Sequence, residues 1–485
     1  MGHFYNSLDT DAGSVGNGWS MSLGPDDVKL SVQSSSVTYL GPGAVKAPYT
    51  KNPDGSFKTP TGMNADLVKL ANGTYRLTFR ADGNRHEFSS TGALTAMVDR
   101  NGNRVVPGYA GSRMSQLTDT QGRVVRFSYG TSGGASGRLT EVADSTARKY
   151  TYGYGTTGTL TSLSDPAGGV THFAYAAAGL LSRVVDPLGR VTRITYDASR
   201  RATRILRIDN PAAGTGPTTT FQYGAGSTTV TDPRGHNTVY VYDSERRVTR
   251  TTDALGNARA RTYTSNSDSE QDTDALSATS KFSYDADNRM KSVEQPAASG
   301  FPTGLQGLFG YGTNRRSPSF FYPTSTTDTQ GNHTVIDYDS AGNVRSLTNG
   351  LSAQNTTSFT RNANGTVATS TDGRGTVTSY GYDAAGNPTS IDRPLPLGDE
   401  VFVRDALSRV IRRTDGKAQL TSFVYDALDR VKTITYAGGT SISYVYDANG
   451  NVTSRSGPDG TTSYTYDRLN RLLQTTMPGK TITDT

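Results

Sequence analysis

Hydrophobic and polar positions alternate with a period of two in many short stretches of this chain, and turn residues separate the stretches. Val191–Tyr196 (VTRITY) and Ser441–Tyr446 (SISYVY) are examples, rich in β-branched and aromatic residues. Such alternation and composition are typical of half-buried strands. No stretch has the 3.6-residue period of a long amphipathic helix. The chain is therefore predicted to be all-β.

These strands belong to an internal repeat. Its clearest copies are FVYDALD, YVYDANGNV and YTYDRLNRL, with anchor tyrosines at 425, 446 and 466, so the period is 446 − 425 = 21 or 466 − 446 = 20 residues. Further Tyr-Asp pairs begin at Tyr382, Tyr338, Tyr284, Tyr242 and Tyr196. Degenerate copies with Arg404, Arg361, Tyr263, Tyr175 and Tyr154 in the tyrosine position fill the gaps. Weaker anchors at Tyr311, Tyr223, Tyr129, Tyr109 and Phe88 extend the series.

A second turn lies about half a period before each anchor. It begins with aspartate and often has glycine three residues later, as in Asp186-Pro187-Leu188-Gly189, and the tyrosine half repeats this pattern in Asp447-Ala448-Asn449-Gly450. Aspartate at the first position caps backbone N–H groups of a type I turn, and glycine at the fourth adopts positive φ. Each unit is therefore a strand, a turn, a strand and a turn, and the whole chain is predicted to be a long antiparallel ribbon.

Two regions depart from the repeat. Residues 1–85 lack it and are predicted to form an irregular β region, with Trp19 as a packing anchor, that leads into a repeat region over 86–485. Residues 296–325 form an insertion with Pro302, Pro318, Pro323 and a cluster of phenylalanines. Such an insertion is usually a surface loop, and a partner-contact loop is the alternative. The Met-Gly-His start and the Asp484-Thr485 end suggest the borders of a fragment.

Composition narrows the class of protein. Only 33% of residues are hydrophobic, with 27 tyrosines and one tryptophan, which suits a sheet with one modestly apolar face better than a dense core. The absence of cysteine excludes disulfides and thiolate metal sites. No signal peptide is visible, and no stretch reaches the ~18 apolar residues of a membrane span.

The net charge of +6 and the pI of about 9.2 raise the question of nucleic-acid binding. The charge is spread evenly, lysine is scarce, and basic clusters with interleaved aromatic residues are missing, so nucleic acid is disfavoured. Many arginines instead recur just past the turn, and we expect them to pair across strands with the turn aspartates of a neighbouring row. These arginines are Arg201, Arg247, Arg289, Arg409, Arg430 and Arg471.

The search for catalytic chemistry finds no candidate site. The five histidines are far apart in sequence and form no metal-spaced pair; they are His3, His86, His172, His236 and His333. There is no nucleophile elbow and no P-loop. The many aspartates occupy turn positions where they have a local role, which disfavours carboxylate catalysis and Ca²⁺ binding. We therefore predict no catalytic, cofactor-binding or metal-binding residues and no enzymatic activity.

The spelling Tyr-Asp-x-x-Gly-Asn/Arg-Val, with Asp-Pro-x-Gly between copies, resembles the YD repeat of the Rhs family. That family includes bacterial polymorphic toxins, cocoon-forming subunits of insecticidal toxin complexes, wall-associated proteins and animal teneurins. The opening, from Tyr5-Asn6-Ser7 through Gly16-Asn17-Gly18-Trp19-Ser20, also resembles the start of the Rhs core. The resemblance covers nearly the whole chain.

The resemblance implies a ribbon that spirals into a hollow or partly open shell or barrel. In toxin members the shell encloses a C-terminal effector, which self-cleavage at a terminal motif with paired aspartates releases. Only Arg468–Thr485 follow Tyr466-Asp467 here, without that motif or a toxin domain, so self-cleavage is assigned to no residue. Because the chain is short for a closed cocoon, we expect a C-shaped open shell or self-association through a bare sheet edge.

Two functions remain open. The first is a non-enzymatic structural shell of a secreted protein, which encapsulates a toxin or effector domain absent from this chain and depends on secretion machinery. The second is an extracellular or cell-surface adhesion module that binds glycans through tyrosine-rich faces. Both place the protein outside the cell, with an export signal that lies outside this chain.

Overall fold

The computed structural model describes residues 2–9, 12–21, 28–41, 45–176, 179–296, 305–315, 317, 319–350 and 355–483. These residues form 47 β-strands and one short 3-10 turn, Gly133–Ala135, and they contain no α-helix. The all-β prediction is therefore confirmed. Part of the predicted insertion, including Pro302 and Pro318, lies outside the described residues, as do the terminal Asp484 and Thr485.

Eight short strands precede the main sheet. They are β1 (His3–Tyr5), β2 (Ala12–Gly13), β3 (Gly16–Asn17), β4 (Trp19–Met21), β5 (Lys29–Val32), β6 (Ser36–Gly41), β7 (Val45–Lys51) and β8 (Phe57–Lys58). Strand β1 pairs with β4, β2 pairs with β3, and β5 to β8 form a four-stranded antiparallel sheet.

The main sheet contains 39 strands, and each pairs antiparallel with the next in the chain. The first fourteen are β9 (Ala65–Lys69), β10 (Tyr75–Phe79), β11 (Arg85–Phe88), β12 (Leu94–Val98), β13 (Arg104–Ala110), β14 (Arg113–Thr118), β15 (Val124–Tyr129), β16 (Leu139–Ala143), β17 (Lys149–Tyr154), β18 (Leu160–Ser164), β19 (Val170–Tyr175), β20 (Leu181–Val185), β21 (Val191–Tyr196) and β22 (Ala202–Ile208). The next twelve are β23 (Thr218–Gly224), β24 (Ser227–Thr231), β25 (Asn237–Tyr242), β26 (Val248–Thr252), β27 (Ala258–Tyr263), β28 (Ser269–Thr273), β29 (Thr279–Tyr284), β30 (Met290–Glu294), β31 (Gln306–Tyr311), β32 (Pro323–Thr327), β33 (His333–Tyr338) and β34 (Val344–Asn349).

The remaining strands of this sheet are β35 (Thr356–Arg361), β36 (Val367–Thr371), β37 (Val377–Tyr382), β38 (Pro388–Asp392), β39 (Glu400–Arg404), β40 (Val410–Thr414), β41 (Leu420–Tyr425), β42 (Val431–Thr435), β43 (Ser441–Tyr446), β44 (Val452–Gly457), β45 (Gly460–Tyr466), β46 (Leu472–Met477) and β47 (Lys480–Thr483). Among the described residues, β9 pairs in register only with β10 and β47 only with β46, so the sheet does not close on itself. The sheet begins at Ala65, within the region that was expected to precede the repeats.

The repeat has the same register in successive hairpins. At the anchor tyrosine the pairing shifts by one residue, so that Val445 pairs with Ser454 but Tyr446 pairs with Val452. This is a β-bulge, in which one strand carries an extra residue. The same shift occurs at Tyr263 and at Tyr284, each in its own hairpin. Anchor tyrosines therefore occupy equivalent places, as predicted.

The sheet is a wall one layer thick over most of its length. Beyond Ile208, the described hydrophobic residues that are fully buried are Phe320 and Tyr322. The accessible surface of the chain is 26605 Å², whereas a compact monomer of this mass would expose about 17,000 Å². Both faces of the sheet are therefore largely solvated, which explains why a chain with so few aliphatic residues can form it.

Among the described residues, the hydrophobic core lies in the N-terminal part of the chain, between Val15 and Leu181. There the four-stranded sheet packs on the first strands of the main sheet, and Tyr39, Tyr49, Leu77 and Phe88 are buried between them. The preceding segment packs against β19, where the Trp19 indole lies 5.0 Å from the Phe173 ring. Trp19 also donates a hydrogen bond to Tyr175 Oη at 2.9 Å, so Trp19 is a packing anchor as predicted.

The two long borders of the main sheet differ in their turns. One border, here called the tyrosine edge, carries the turns that follow the anchor tyrosines, such as the turn that begins at Asp426. The other border, here called the far edge, carries the alternate turns, such as the turn that begins at Asp144. Far-edge turns near the start of the sheet contact tyrosine-edge turns near its end, through partners 242 to 285 residues apart. The ribbon thus completes a winding and overlaps itself, rather than stopping at the C shape expected from its length.

Candidate functional site

The turn aspartates hold their turns through hydrogen bonds from backbone N–H groups and, in many turns, from the side chain of the fifth turn residue. In the turn at Asp426, Oδ1 accepts from the backbone N–H groups of Leu428 at 2.8 Å and Arg430 at 3.1 Å, and Oδ2 accepts from Arg430 Nε at 2.6 Å. Burial raises the pKa of this carboxyl, but the hydrogen bonds from Arg430 outweigh it and the net pKa is lowered. Arginine therefore pairs with a turn aspartate across the two strands of the hairpin, as predicted, and the partner is the aspartate of its own turn. The reason is that the fifth turn residue folds back beside the first.

The same arginine also reaches the next repeat. Arg430 Cζ lies 4.4 Å from the centroid of the Tyr446 ring, a cation–π contact. The Tyr446 hydroxyl donates to the carbonyl of Val431 at 2.7 Å, which is the residue paired with the previous anchor, Tyr425. A ring, a guanidinium and a hydroxyl therefore together join this repeat to its predecessor. The hydroxyl bond recurs at Tyr129, Tyr154, Tyr196, Tyr263, Tyr284, Tyr338 and Tyr425.

Arginine can replace the anchor tyrosine without loss of this link. Arg361 donates to the carbonyl of Val344 at 3.1 Å, and Arg404 donates to the carbonyl of Pro388 at 3.1 Å. Both carbonyls occupy the position that the tyrosine hydroxyl reaches in other repeats. The degenerate copies recognised in the sequence are thus structural equivalents.

The fourth turn residue has positive φ whether or not it is glycine. Gly189 and Gly450 have φ of 76° and 91°, as predicted. Ten other described residues have positive φ at the same turn position: Ala147, Arg200, Arg246, Ser267, Ser277, Asn288, Ser408, Ala418, Asp429 and Asn470. The left-handed conformation is unfavourable for residues with a Cβ atom, so the surrounding hydrogen bonds must hold these turns in place.

Far-edge turns near the start of the main sheet (the first winding) contact tyrosine-edge turns near its end (the second winding). This line of contact, here called the seam, is polar where turn meets turn. Arg148 Nη1 donates to Asp429 Oδ1 at 2.6 Å, and Asn449 Nδ2 donates to Asp186 Oδ2 at 2.6 Å. Burial lowers the pKa of Arg148, but its hydrogen bonds to Asp429 and Asp144 outweigh this effect and raise it. Other cross-winding bonds join Asn343 to Asn101, Asn103 to Asn364, Arg123 to Ser408 and Arg190 to Asn470.

The described part of the insertion continues the seam with aromatic side chains. Phe320 is 6% exposed and Tyr322 is 8% exposed. Arg289 stacks on Phe320 at 4.3 Å, and Arg100 of the first winding stacks on Tyr322 at 4.8 Å. This part of the insertion is a loop between β31 and β32 that lies over the sheet, and its aromatic side chains Phe320 and Tyr322 are buried there.

The histidines are not brought together. His3 bonds Tyr152 Oη at 2.8 Å, His236 lies 3.3 Å from Asp232, and His333 lies 3.0 Å from Thr327. His86 packs among aromatic rings, and burial lowers its pKa to about 4. His172 lies on β19, paired with Val185 and Ser162.

The sequence predicted no catalytic, cofactor-binding or metal-binding residues. Within the described residues, no group of three or more His, Cys, Asp or Glu side chains could hold a metal ion. Those residues also include no helix long and apolar enough to cross a membrane. That the chain has no catalytic, cofactor or metal site stays a prediction.

Comparison with known proteins identifies the repeat. The family model of the RHS Repeat matches residues 361–395, 404–441 and 446–482. These three stretches of the chain are RHS repeats. These RHS repeats include the tyrosine-edge turns at Asp405, Asp426, Asp447 and Asp467, so the matched segment supplies much of one side of the seam. No curated protein sequence matches the chain.

Solved structures of toxin complexes resemble this chain. A Tc holotoxin pore from Photorhabdus luminescens is 13% identical, with a TM-score of 0.37, and the match covers 88% of this chain and 22% of that one. A TcdB2-TccC3 structure without its hypervariable C-terminal region is 12% identical, with a TM-score of 0.40, and the match covers 92% of this chain and 27% of that one. This chain thus spans about a quarter of the length of these structures.

Proposed function

We propose that this RHS-repeat chain is a non-enzymatic wall of a secreted shell that encloses a polypeptide effector. The observation that carries the proposal is the single-layer sheet that winds past its own beginning and is fastened there along a seam. A sheet solvated on both faces has no core to protect, whereas a wound and fastened sheet separates an inner space from the solvent.

The tyrosine face suits an enclosing role. Anchor tyrosines and the aromatic residues two positions before them, such as Tyr444, line one face of the ribbon in half-buried rows. The intervening residue is more exposed, as with Val445 at 58%. A broad surface of half-buried aromatic rings offers sequence-tolerant contacts to a polypeptide, because tyrosine combines an apolar ring with a polar tip. We therefore also propose that the protein is secreted and that its partner is an effector domain.

Protection of a fused reporter tests enclosure. A protease-sensitive reporter polypeptide is attached after Thr485 in one fusion and before Met1 in a matched second fusion, and cleavage is followed over time. We expect the reporter after Thr485 to be cleaved much more slowly than the one before Met1. Equal cleavage in both fusions would refute enclosure of a C-terminal cargo. The non-enzymatic part is tested separately: glycan, peptide and ester substrates should give no turnover above blank, and an activity abolished by one point substitution would overturn it.

A further inference from the structure

Three strained turn residues lie on the seam and carry hydrogen-bond acceptors. At the fourth position of their turns, Ser408, Asp429 and Asn470 have φ of 66°, 65° and 63°, respectively. Glycine occupies this position in neighbouring turns, as at Gly450. A strained residue persists only where the surrounding structure maintains it, and such residues are concentrated at functional sites.

Each of the three acceptors receives an arginine from the first winding. Arg123 Nη1 donates to Ser408 Oγ at 2.5 Å, and Arg148 Nη1 donates to Asp429 Oδ1 at 2.6 Å. Arg190 Nη1 donates to Asn470 Oδ1. All three arginines occupy one position, the fifth residue of a far-edge turn. These three cross-winding contacts therefore share one geometry, in which the fifth residue of a far-edge turn donates to the fourth residue of a tyrosine-edge turn.

Each acceptor also binds the preceding turn of its own winding. Asp429 Oδ1 accepts from Arg409 Nη1 at 2.8 Å. Ser408 Oγ accepts from Asn387 Nδ2 at 3.1 Å, and Asn470 Oδ1 accepts from Asn451 Nδ2 at 2.7 Å. The acceptor side chain thus joins three turns, two in its own winding and one in the other. Glycine at this position could not do so.

The turns that lie between these pairs lack both partners. On the far edge, the turn between those of Arg148 and Arg190 has Gly169 at its fifth position. On the tyrosine edge, the turn between those of Asp429 and Asn470 has Gly450 at its fourth position. Donor and acceptor are therefore present together in three turn pairs and absent together in the intervening one.

We propose that Ser408, Asp429 and Asn470, with Arg123, Arg148 and Arg190, form a register lock that fixes which turn of one winding lies against which turn of the next. A slip by one repeat towards the C-terminus would place Arg148 against Gly450, and a slip in the opposite direction would place Arg190 against Gly450, which offers no acceptor side chain. The lock would hold the wall closed at the seam, so this role rests on the proposed shell. These residues position the turns relative to one another. Their left-handed backbone conformation is retained because only a side chain at that position reaches all three turns.

The test replaces the acceptors by glycine, which keeps the turn geometry and removes the side chain. In the Ser408→Gly/Asp429→Gly/Asn470→Gly variant we expect hydrogen exchange in the turns at 119–123, 144–148 and 186–190 to accelerate about tenfold or more, as expected for loss of charge-assisted hydrogen bonds. The radius of gyration from solution scattering should rise as the windings separate. Thermal stability of the individual hairpins should not fall, because glycine relieves positive-φ strain.

Two controls separate the lock from turn chemistry. Ala418→Gly makes the same change at the same turn position, with φ of 60°, on a far-edge turn outside the seam, and it should leave exchange at 144–148 unchanged. Asp429→Asn keeps an oxygen acceptor at the seam and should retain slow exchange in that turn. Unchanged exchange in the triple variant, or a change no larger than in Ala418→Gly, would overturn the lock.

The measurement needs no cargo, so its outcome is independent of enclosure. Slow exchange in the triple variant together with a protected reporter would reject the lock and support the enclosing shell. Accelerated exchange in the triple variant together with an unprotected reporter in the wild-type fusion would establish the lock and reject enclosure.

Discussion

Removal of the Tyr446 hydroxyl isolates one rung of the tyrosine ladder. This hydroxyl donates to the Val431 carbonyl at 2.7 Å. Residue pairs between β42 and β43 run from Thr433–Ser443 to Thr435–Ser441, so Val431 lies beyond the last pair. Its carbonyl therefore takes the hydroxyl in place of a backbone N–H. In Tyr446→Phe this half-buried carbonyl loses that partner.

The expected cost follows from what the change removes and what it keeps. A typical hydrogen bond contributes about 0.5–1.5 kcal/mol net, and an acceptor left buried without a partner costs about 1–3 kcal/mol. Because Val431 is only half-buried, we expect about 1–1.5 kcal/mol. The phenyl ring still stacks under Arg430, whose Cζ lies 4.4 Å from the ring centroid in the wild type, so the packing contribution stays.

Hydrogen exchange measures this cost locally, which suits a repeat protein in which each unit is stabilised by its neighbours. We expect amides of β42 to β44 to exchange about five- to tenfold faster in Tyr446→Phe, which corresponds to about 1–1.4 kcal/mol. Tyr444→Phe is the matched control: it lies on the same face, and no hydrogen bond of its hydroxyl is found among the described residues. It should change exchange less than about twofold, a surface-like effect. Equal effects of the two variants would refute the ladder.

Three further predictions concern the turns, the insertion and acid stability. Gly450→Val should destabilise its hairpin by about 1–3 kcal/mol through strain at φ of 91°, and an unchanged melting temperature would contradict this. Phe320→Ala should cost about 3–5 kcal/mol, because Phe320 is buried at the seam, whereas Leu255→Ala, at a residue 88% exposed, should change stability by less than about 0.5 kcal/mol in the same denaturation assay. Burial, and for His3 also the positive N-terminus, lowers the pKa of His3 and His86 from 6.5 to about 4. Their stabilisation is present above pH 6.5 and is lost as pH falls from 6.5 towards 4, while Asp405, Asp426 and Asp467, whose pKa values are lowered, against the effect of burial, by hydrogen bonds from their turns, lose theirs only at lower pH. Exchange followed by pH should therefore show the N-terminal region loosening before the C-terminal repeats, and a single common transition would count against it.

Local features of the fold were predictable from sequence because each is determined within one repeat. The strand alternation, the two turns per unit and the positive φ of Gly189 and Gly450 all follow from residues close in the chain. The degenerate copies at Arg361 and Arg404 were also predictable, because the residues around them keep the repeat pattern. Their guanidinium groups bind the carbonyls that tyrosine hydroxyls bind elsewhere.

Features that depend on side-chain direction were missed. Pairing of the fifth-position arginine with a turn aspartate was predicted, but its stacking on the next tyrosine, as in the turn of Asp426, was not. Spacing along the chain could not show that one guanidinium serves both contacts. The burial of Phe320 and Tyr322 was not predicted, because the prolines and glycines around them indicate a loop and their contact is with a distant winding.

The contacts across the seam could not be predicted from residues close in the chain, since the partners are 242 to 285 residues apart. A wall one sheet thick gains little from a hydrophobic core beyond its first strands, so its repeats must be stabilised by neighbour contacts that any unit can make. Identical neighbour contacts, however, cannot specify register between windings, because every unit would fit equally well against every other. Register requires units that differ, and the fourth and fifth turn positions are where these units differ while the turn itself is preserved. Ser408, Asp429 and Asn470 are such a difference, but Ser267 and Asn288 are polar at the same strained position and take no part in the register lock, so residue type at that position does not by itself locate the seam.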